Sequence, residues 1–113
     1  MIYEKHLQEK WFNLIKTGQK TVEGRLLKSD FANMVVGDII QFHNKPDKSD
    51  AFKVIIKKIT IHKTFKEMIT KNRLKNVLPT MNRINDGVEV YHKIYSKEDE
   101  KKYKVVAIHF ELL

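Results

Sequence analysis

The spacing of apolar residues near the start of the chain predicts one short helix. Between residues 8 and 17, Trp11, Phe12 and Ile15 recur at helical spacing. Gly18 follows at the position where a glycine in the left-handed conformation ends many helices. We expect Trp11 and Phe12 to act as core residues rather than as a platform on which bases stack.

Three strands are predicted between residues 20 and 62. The segment 20–27 contains Thr, Val and Leu at positions that favour extended structure, and a Val-Gly-Asp turn leads into a second strand over residues 39–43. A polar loop broken by Pro46 separates it from the third strand, residues 51–62, which is rich in Val and Ile. The imperfect alternation in this third strand indicates a β-bulge or strong curvature.

Helical signals dominate the second half of the chain. A capping box, Thr-Phe-Lys-Glu at residues 64–67, starts a helix that runs to about residue 70. Helical spacing of apolar and aromatic residues predicts a second helix over 85–94, and a Ser-Lys-Glu-Asp box at 96–99 predicts another start. Residues 103–112 alternate in polarity and size, so the chain closes with a strand.

The predicted order is a helix, three strands, two or three short helices and a final strand. Strands and helices that do not alternate regularly favour an α+β fold or a small barrel with helical insertions. With 113 residues, the chain has room for one core, so we predict a single domain over residues 1–113.

Composition narrows the protein class further. Hydrophobic residues make up 42% of the chain, which suits a globular protein, and there is no cysteine for a disulfide or a thiolate metal site. The N-terminal residues lack the apolar run of a signal peptide, and no apolar stretch is long enough for a bilayer. We therefore expect a cytoplasmic protein that does not contact a membrane.

The net charge of +8 is concentrated in one segment. Between Lys53 and Lys75 the sequence has eight basic residues and one acidic residue, Glu67. A basic stripe of this kind attracts phosphates and releases their counterions on binding, which points to nucleic acid. The alternative is that these lysines only solvate the surface.

The densest polar cluster within an apolar frame lies in the first predicted strand. Strand periodicity places Thr21, Glu23 and Arg25 on one face, and Gly24 on the other face permits a close approach by backbone or ligand. A hydroxyl, a carboxylate and a guanidinium in a row are costly to bury unless they pair with one another or face a ligand. The residues alone leave both possibilities open, a satisfied polar network or a binding site.

This cluster has the form Gly-x-Lys-Thr-x-Glu-x-Arg, and with its surroundings it resembles the ASCH family (activating signal cointegrator homology). An aromatic-bearing helix precedes it, and Val-Gly-Asp-Ile-Ile-x-Phe follows at residues 36–42. Segments 63–68, 76–79 and 91–108 agree as well, so the resemblance covers nearly the whole chain. It implies a PUA-like small β-barrel with flanking and inserted short helices, and a cleft beside the motif strand for RNA, a nucleotide or a nucleoside.

The resemblance also implies the residues of the site. Carried over position by position, Gly18 and the four polar residues of the motif would form the cleft, and four others would form its second wall. The nucleic-acid-binding residues expected on this basis are Lys20, Thr21, Glu23, Arg25, Asn44, Tyr95 and Ser96, with Tyr91 as a further candidate. No cofactor is expected.

The family resemblance leaves two activities open. Some relatives resemble amidohydrolases that act on acetylated cytidine, with a lysine at the position of Lys20 and a threonine nucleophile three residues later. Here Glu23 occupies that nucleophile position, and a carboxylate is a poor substitute for a hydroxyl. A hydrolase, either an amidohydrolase or a ribonuclease, would therefore use Lys20, Thr21 and Glu23 differently, with Glu23 as general base. The other reading is a binding module without catalysis.

The histidines do not indicate a metal site. His6, His43, His62, His92 and His109 lack the spacing of paired metal ligands. We expect His109, which alternates with apolar residues in the last strand, to be an ordinary hydrogen-bonded histidine.

Overall fold

The computed structural model describes residues 1–113, which form five strands and six helices. The strands are β1 (Ile2–Leu7), β2 (Val22–Leu26), β3 (Ile39–Asn44), β4 (Ala51–His62) and β5 (Val105–Leu112). The helices are α1 (Glu9–Lys16), α2 (Asp30–Asn33), α3 (Phe65–Asn72), α4 (Leu74–Val77), α5 (Ile84–Ile94) and α6 (Lys97–Tyr103). None of the helices is both long enough and apolar enough to cross a membrane.

The five strands form one curled sheet in the order β1-β3-β4-β5-β2. Strand β1 pairs with β3 in parallel, and every other pair is antiparallel. Strands β1 and β2 are the two edges and do not pair with each other, so the barrel is only half closed and keeps an open seam. The predicted α+β class with a small barrel and inserted helices is confirmed in this form.

The long strand β4 carries the predicted irregularity. Its register with β5 shifts between Ile56 and Lys58, where one extra residue is accommodated. A bulge increases local twist and bends a strand, which lets β4 follow the curvature of the sheet.

Two hydrophobic cores lie on opposite faces of the sheet, and strand β5 contributes to both. Val106, Ile108 and Phe110 face the inside of the half-barrel, where they pack with residues that include Phe12. Val105 and Ala107 face outward and are covered by helices α3 and α5. The alternating side chains of β5 are therefore buried on both sides.

The structure differs from the sequence prediction at several elements. Strand β1 was not predicted because only Leu7 of its six residues is buried, which leaves no apolar alternation to detect. Helices α2 and α4 are single turns of four residues and were also missed. The motif strand begins at Val22, so Lys20 and Thr21 lie in the segment before it.

Both predicted helix starts are confirmed as N-caps. Thr64 Oγ1 accepts a hydrogen bond of 3.0 Å from the Glu67 amide, and Ser96 Oγ accepts one of 3.1 Å from the Asp99 amide. The first motif is only half of a capping box, because the Glu67 carboxylate lies 3.5 Å from His62 Nδ1 instead of returning to the cap.

One end of the open seam is closed by side chains rather than by backbone pairing. The Phe31 ring of α2 lies between Lys5 of β1 and Arg25 of β2, at 5.0 Å from the ammonium and 4.9 Å from the guanidinium carbon. Lys5 also pairs with Asp30 at 2.7 Å. Cation–π contacts thus bridge the two edge strands at this end and leave the other end open.

The expectation for His109 is wrong. Its Nε2 atom is buried and has no hydrogen-bond partner. Burial lowers the pKa of the imidazole, and the nearby Lys58 and His62 act in the same direction. The neutral form is therefore the one that the fold accommodates.

This environment predicts a loss of stability in mild acid. Because the folded state binds the proton of His109 less readily than the unfolded state does, the free energy of unfolding should fall as the pH drops below about 6.5. His109→Leu should remove that component of the acid sensitivity, measured by urea unfolding at about pH 7.5 and about pH 5.5. Equal pH dependence in the wild type and the variant would contradict the prediction.

Candidate functional site

A cleft of about 220 Å³ lies at the open end of the seam between β1 and β2. One side comes from the end of β1 and the start of α1, and the other from the motif strand and helix α5. The lining residues are His6, Leu7, Gln8, Trp11, Lys20, Glu23, Gly24, Arg25, Lys45, Leu78, Val90, Tyr91, Ile94 and Tyr95.

The Glu23 carboxylate is the centre of the cleft's charged floor. Its Oε1 atom accepts a hydrogen bond of 3.0 Å from the Gly24 amide and lies 3.6 Å from the Lys20 ammonium. Its Oε2 atom lies 3.6 Å from the Arg25 guanidinium. With the residue only 6% exposed, the carboxylate is fixed between two cations and one backbone donor.

Lys20 is the most buried member of this group, at 2% exposure. Its ammonium donates to the carbonyl of Val22 at 2.8 Å and to the carbonyl of Val77, and it faces Glu23. Burial lowers the pKa of Lys20, with Arg25 acting in the same direction and Glu23 opposing it. Two hydrogen bonds to backbone carbonyls and one ion pair therefore hold the ammonium, and the two carbonyls join the start of β2 to α4.

Arg25 is more open to the cleft than Lys20. Its side chain is 25% exposed, and one guanidinium nitrogen faces Glu23. Because a guanidinium has five N–H donors in a fixed plane, several remain free for a ligand. The floor thus offers a carboxylate acceptor next to accessible guanidinium donors.

Aromatic side chains form much of the cleft walls. Trp11 of α1 lies on one side, with the Lys20 ammonium 5.8 Å from its ring. Tyr91 and Tyr95 line the cleft from the α5 side, and both stack on Phe65, at centroid distances of 4.5 and 5.4 Å. Burial, followed by the Glu23 carboxylate, raises the pKa of the Tyr91 hydroxyl well above its usual value, so it remains a neutral phenol.

A buried carboxylate outside the cleft holds this aromatic stack in place. Glu100 of α6 accepts a hydrogen bond of 2.7 Å from the Phe65 amide, and its other oxygen lies 3.0 Å from His92 Nε2. The first turn of α3 and the last turn of α5 are therefore tied to α6, and this fixes the end of α5 from which Tyr91 and Tyr95 project.

Gly24 permits the close contact between the motif strand and α5. A Cβ atom at this position would lie 2.4 Å from Met68 Cε and 3.0 Å from the Tyr91 hydroxyl oxygen. Only glycine allows Tyr91 to lie this close to β2 without a shift of its neighbours.

The cleft brings together some of the residues that the sequence indicated. Lys20, Glu23, Arg25 and Tyr95 line it, as does Tyr91. The remaining three, Thr21, Asn44 and Ser96, are not among the lining residues.

Each of these three has another position in the fold. Thr21 is exposed in the segment before β2, where its amide donates to the Asn76 carbonyl at 3.0 Å. Asn44 is buried at the end of β3, with its Nδ2 3.4 Å from a Glu9 oxygen. Ser96 is the exposed N-cap of α6.

Sequence reasoning missed the wall that faces the motif. His6, Gln8, Trp11 and Lys45 line the cleft, although Trp11 was expected in the core. Trp11 does pack against the outer core while it borders the cleft. The only available signal was its position on the helix before the motif.

The basic segment between residues 53 and 75 contributes nothing to the cleft lining. One of its lysines, Lys66, lies instead with Arg83 in a separate shallow depression near the start of α5. The positive charge of the cleft comes from Lys20, Arg25 and Lys45, so the segment 53–75 does not support a function for this site.

Comparisons with known proteins agree with this architecture. The family model described as the ASCH domain matches residues 6–113. No curated protein matches the chain. The crystal structure of hypothetical protein PH0355 is 42% identical, with full coverage of both chains and a TM-score of 0.91.

Two further solved structures extend the comparison. The NMR structure of protein PF0455 from Pyrococcus furiosus is 41% identical over 100% of this chain and 98% of that one, with a TM-score of 0.82. The ASCH domain from Lactobacillus crispatus JV V101 is only 14% identical over 98% of this chain and 79% of that one, with a TM-score of 0.62, and it shows likeness of fold alone. On the match of the family model to nearly its whole length, the chain belongs to the ASCH domain family.

Proposed function

We propose that this protein binds RNA or a nucleotide in the cleft at the open seam. The observation that carries the proposal is the Glu23–Arg25 pair on the floor, set between aromatic walls. Unpaired bases are recognised by stacking on aromatic rings and by hydrogen bonds to their Watson–Crick edges. A carboxylate acceptor beside guanidinium donors matches the adjacent donor and acceptor groups on such an edge.

The size of the cleft favours a single unstacked base. At about 220 Å³ it is smaller than the clefts of roughly 300–1,000 Å³ that hold drug-sized ligands. A duplex presents no free Watson–Crick edge, so the ligand class is a mononucleotide or an unpaired nucleotide in single-stranded RNA.

A hydrolase that uses Lys20 and Glu23 is the second candidate. Burial and a lowered lysine pKa beside a carboxylate are features of catalytic groups, and they favour this reading. Against it, Lys20 donates to two backbone carbonyls and is paired with Glu23, and Thr21 does not line the cleft. Glu23, which lines the cleft, is then the group of the three that remains as a candidate general base.

RNA binding should depend on salt and on Arg25. A plot of log affinity against log salt should fall linearly for a single-stranded RNA if phosphate contacts contribute. Arg25→Ala should weaken binding about 10- to 100-fold, because it removes hydrogen bonds from a charged donor. Fluorescence anisotropy with short single-stranded RNAs measures both effects.

Lys71→Ala is the matched control, because Lys71 is an exposed residue of the basic segment and does not line the cleft. It should change affinity by less than about twofold. Affinity that stays flat across a wide salt range would refute the phosphate contacts, and equal losses in both variants would refute the cleft as the binding site.

We propose that the protein acts in the cytoplasm, in keeping with a chain that contains no cysteine. It requires no metal and no cofactor, because base and phosphate recognition uses side-chain donors, acceptors and aromatic rings alone.

A further inference from the structure

We propose that the rim of the cleft around Lys45 is a phosphate subsite, so that the ligand is a nucleotide and not a free nucleoside. This inference rests on the proposed function and adds the ligand's second recognition point. Three observations support it: the charge balance of the cleft, the backbone contact that holds Lys45, and the positions of the nearby carboxylates.

Lys45 is the unpaired cation of the cleft. Three cationic side chains of Lys or Arg line it, and two of them, Lys20 and Arg25, share the Glu23 carboxylate. Lys45 makes no ion pair, and its side chain is exposed at the mouth. A cleft with an excess of positive charge concentrates anions. An anionic group of the ligand should interact most favourably with the one ammonium that has no carboxylate partner, that of Lys45.

The backbone fixes the position of Lys45 at the rim. Its amide donates to the Leu7 carbonyl at 2.9 Å, which anchors it to the end of β1, across the seam from Glu23 and Arg25 of β2. When Glu23 holds a base on the floor of the cleft, the sugar and phosphate of the same nucleotide therefore extend toward the opposite rim. A single nucleotide has this arrangement, with its anionic group one sugar away from the base.

His6 adds a second donor at the same rim. Its ring stacks on His43 at 4.9 Å between centroids, and His43 Nε2 lies 3.0 Å from a Glu4 oxygen. These contacts hold the His6 imidazole at the mouth of the cleft. The first turn of α1 also begins here without a side-chain cap, so its free amides add partial positive charge.

The acidic groups nearby do not occupy the subsite. Glu23 is the one carboxylate that lines the cleft. Glu9, in the first turn of α1, lies 3.4 Å from the Asn44 amide nitrogen, and Glu4 is paired with His43. Both carboxylates have partners of their own, and neither makes an ion pair with Lys45.

The test compares nucleosides with their 5′-monophosphates in the wild type and two variants, by isothermal titration calorimetry at fixed ionic strength. In the wild type, the preferred monophosphate should bind about fivefold or more tighter than its nucleoside. Lys45→Ala should abolish this difference and leave nucleoside affinity unchanged. Lys48→Ala removes the same charge from the same loop, at a residue that does not line the cleft, and should keep the difference.

Two results would overturn the subsite, and they differ from failure of the proposed function. Equal affinities for nucleoside and monophosphate in the wild type would show a base site without phosphate recognition, and the proposed cleft would stand. Equal losses in Lys45→Ala and Lys48→Ala would show diffuse electrostatic attraction. No binding of any nucleoside, nucleotide or short RNA would overturn the proposed function together with this inference.

Discussion

Lys20→Met is expected to lower the free energy of unfolding by about 3–5 kcal/mol, the typical cost of removing one partner from a buried ion pair. Lys20 is 2% exposed, and its ammonium donates to the carbonyls of Val22 and Val77. Methionine fills a similar volume but leaves both carbonyls without a donor, and it leaves Glu23 with Arg25 as its one remaining cation. Urea unfolding followed by circular dichroism measures the change.

Lys16→Met is the matched control for this prediction. Lys16 also forms an ion pair, with Asp50 at 3.2 Å, but its side chain is 51% exposed. Exposed pairs contribute about 0–1 kcal/mol, so the control should remain close to the wild type. If the two variants lose a similar free energy of unfolding, the contacts of Lys20 contribute no more to stability than an exposed ion pair does, and the prediction is wrong.

The fold could be predicted where burial leaves a pattern in the sequence. Strand β5 is buried on both faces, and its alternation predicted a strand over 103–112. The helix starts at Thr64 and Ser96 could be predicted because capping is local chemistry. Strand β1 could not, because it is an edge strand whose pairing with β3 depends on contacts distant in sequence.

The lining of the candidate cleft could be predicted only on the side that carries the motif. Glu23 and Arg25 lie two residues apart in one strand, so strand periodicity alone places them together. The facing residues, His6 and Lys45, come from the ends of β1 and β3, which the sheet order brings opposite β2. Only the curvature of the sheet makes them neighbours of the motif, and no local pattern encodes that curvature.

The incomplete barrel explains why a polar network occurs at this point of the fold. A fully closed barrel would fill the gap between β1 and β2 with backbone hydrogen bonds. Here Phe31 fills one end of the gap, and the charged group around Glu23 lies at the other. The open seam thus gives a ligand access to the cleft, and it leaves space beside the core in which the charged groups around Glu23 lie.

Glu23→Gln is expected to weaken nucleotide and single-stranded RNA binding about 10- to 100-fold, because it replaces a charged acceptor with a neutral one. The substitution keeps the shape of the side chain, and its amide oxygen can still accept from the Gly24 amide. The amide nitrogen then takes the position of Oε2, where a donor faces the donors of the Arg25 guanidinium instead of accepting from them. Thermal unfolding measured alongside binding separates a loss of the site from a loss of the fold.

Glu89→Gln provides the control, since Glu89 is exposed on α5 and does not line the cleft. It should bind ligand as the wild type does. Unchanged affinity in Glu23→Gln, with the fold intact, would show that Glu23 does not contact the ligand. Binding would then depend on the residues of the cleft walls.

Two of these variants, Glu23→Gln and Lys20→Met, separate a binding module from a hydrolase. The wild type, Glu23→Gln and Lys20→Met should be incubated with a panel of modified nucleosides and short single-stranded RNAs, and the products followed by mass spectrometry. A binding module gives no product with any of the three proteins. Turnover by the wild type that disappears in Glu23→Gln would make the carboxylate a general base and the protein an enzyme. Turnover that persists in both variants would come from a different site or a contaminant, because no other carboxylate lines the cleft.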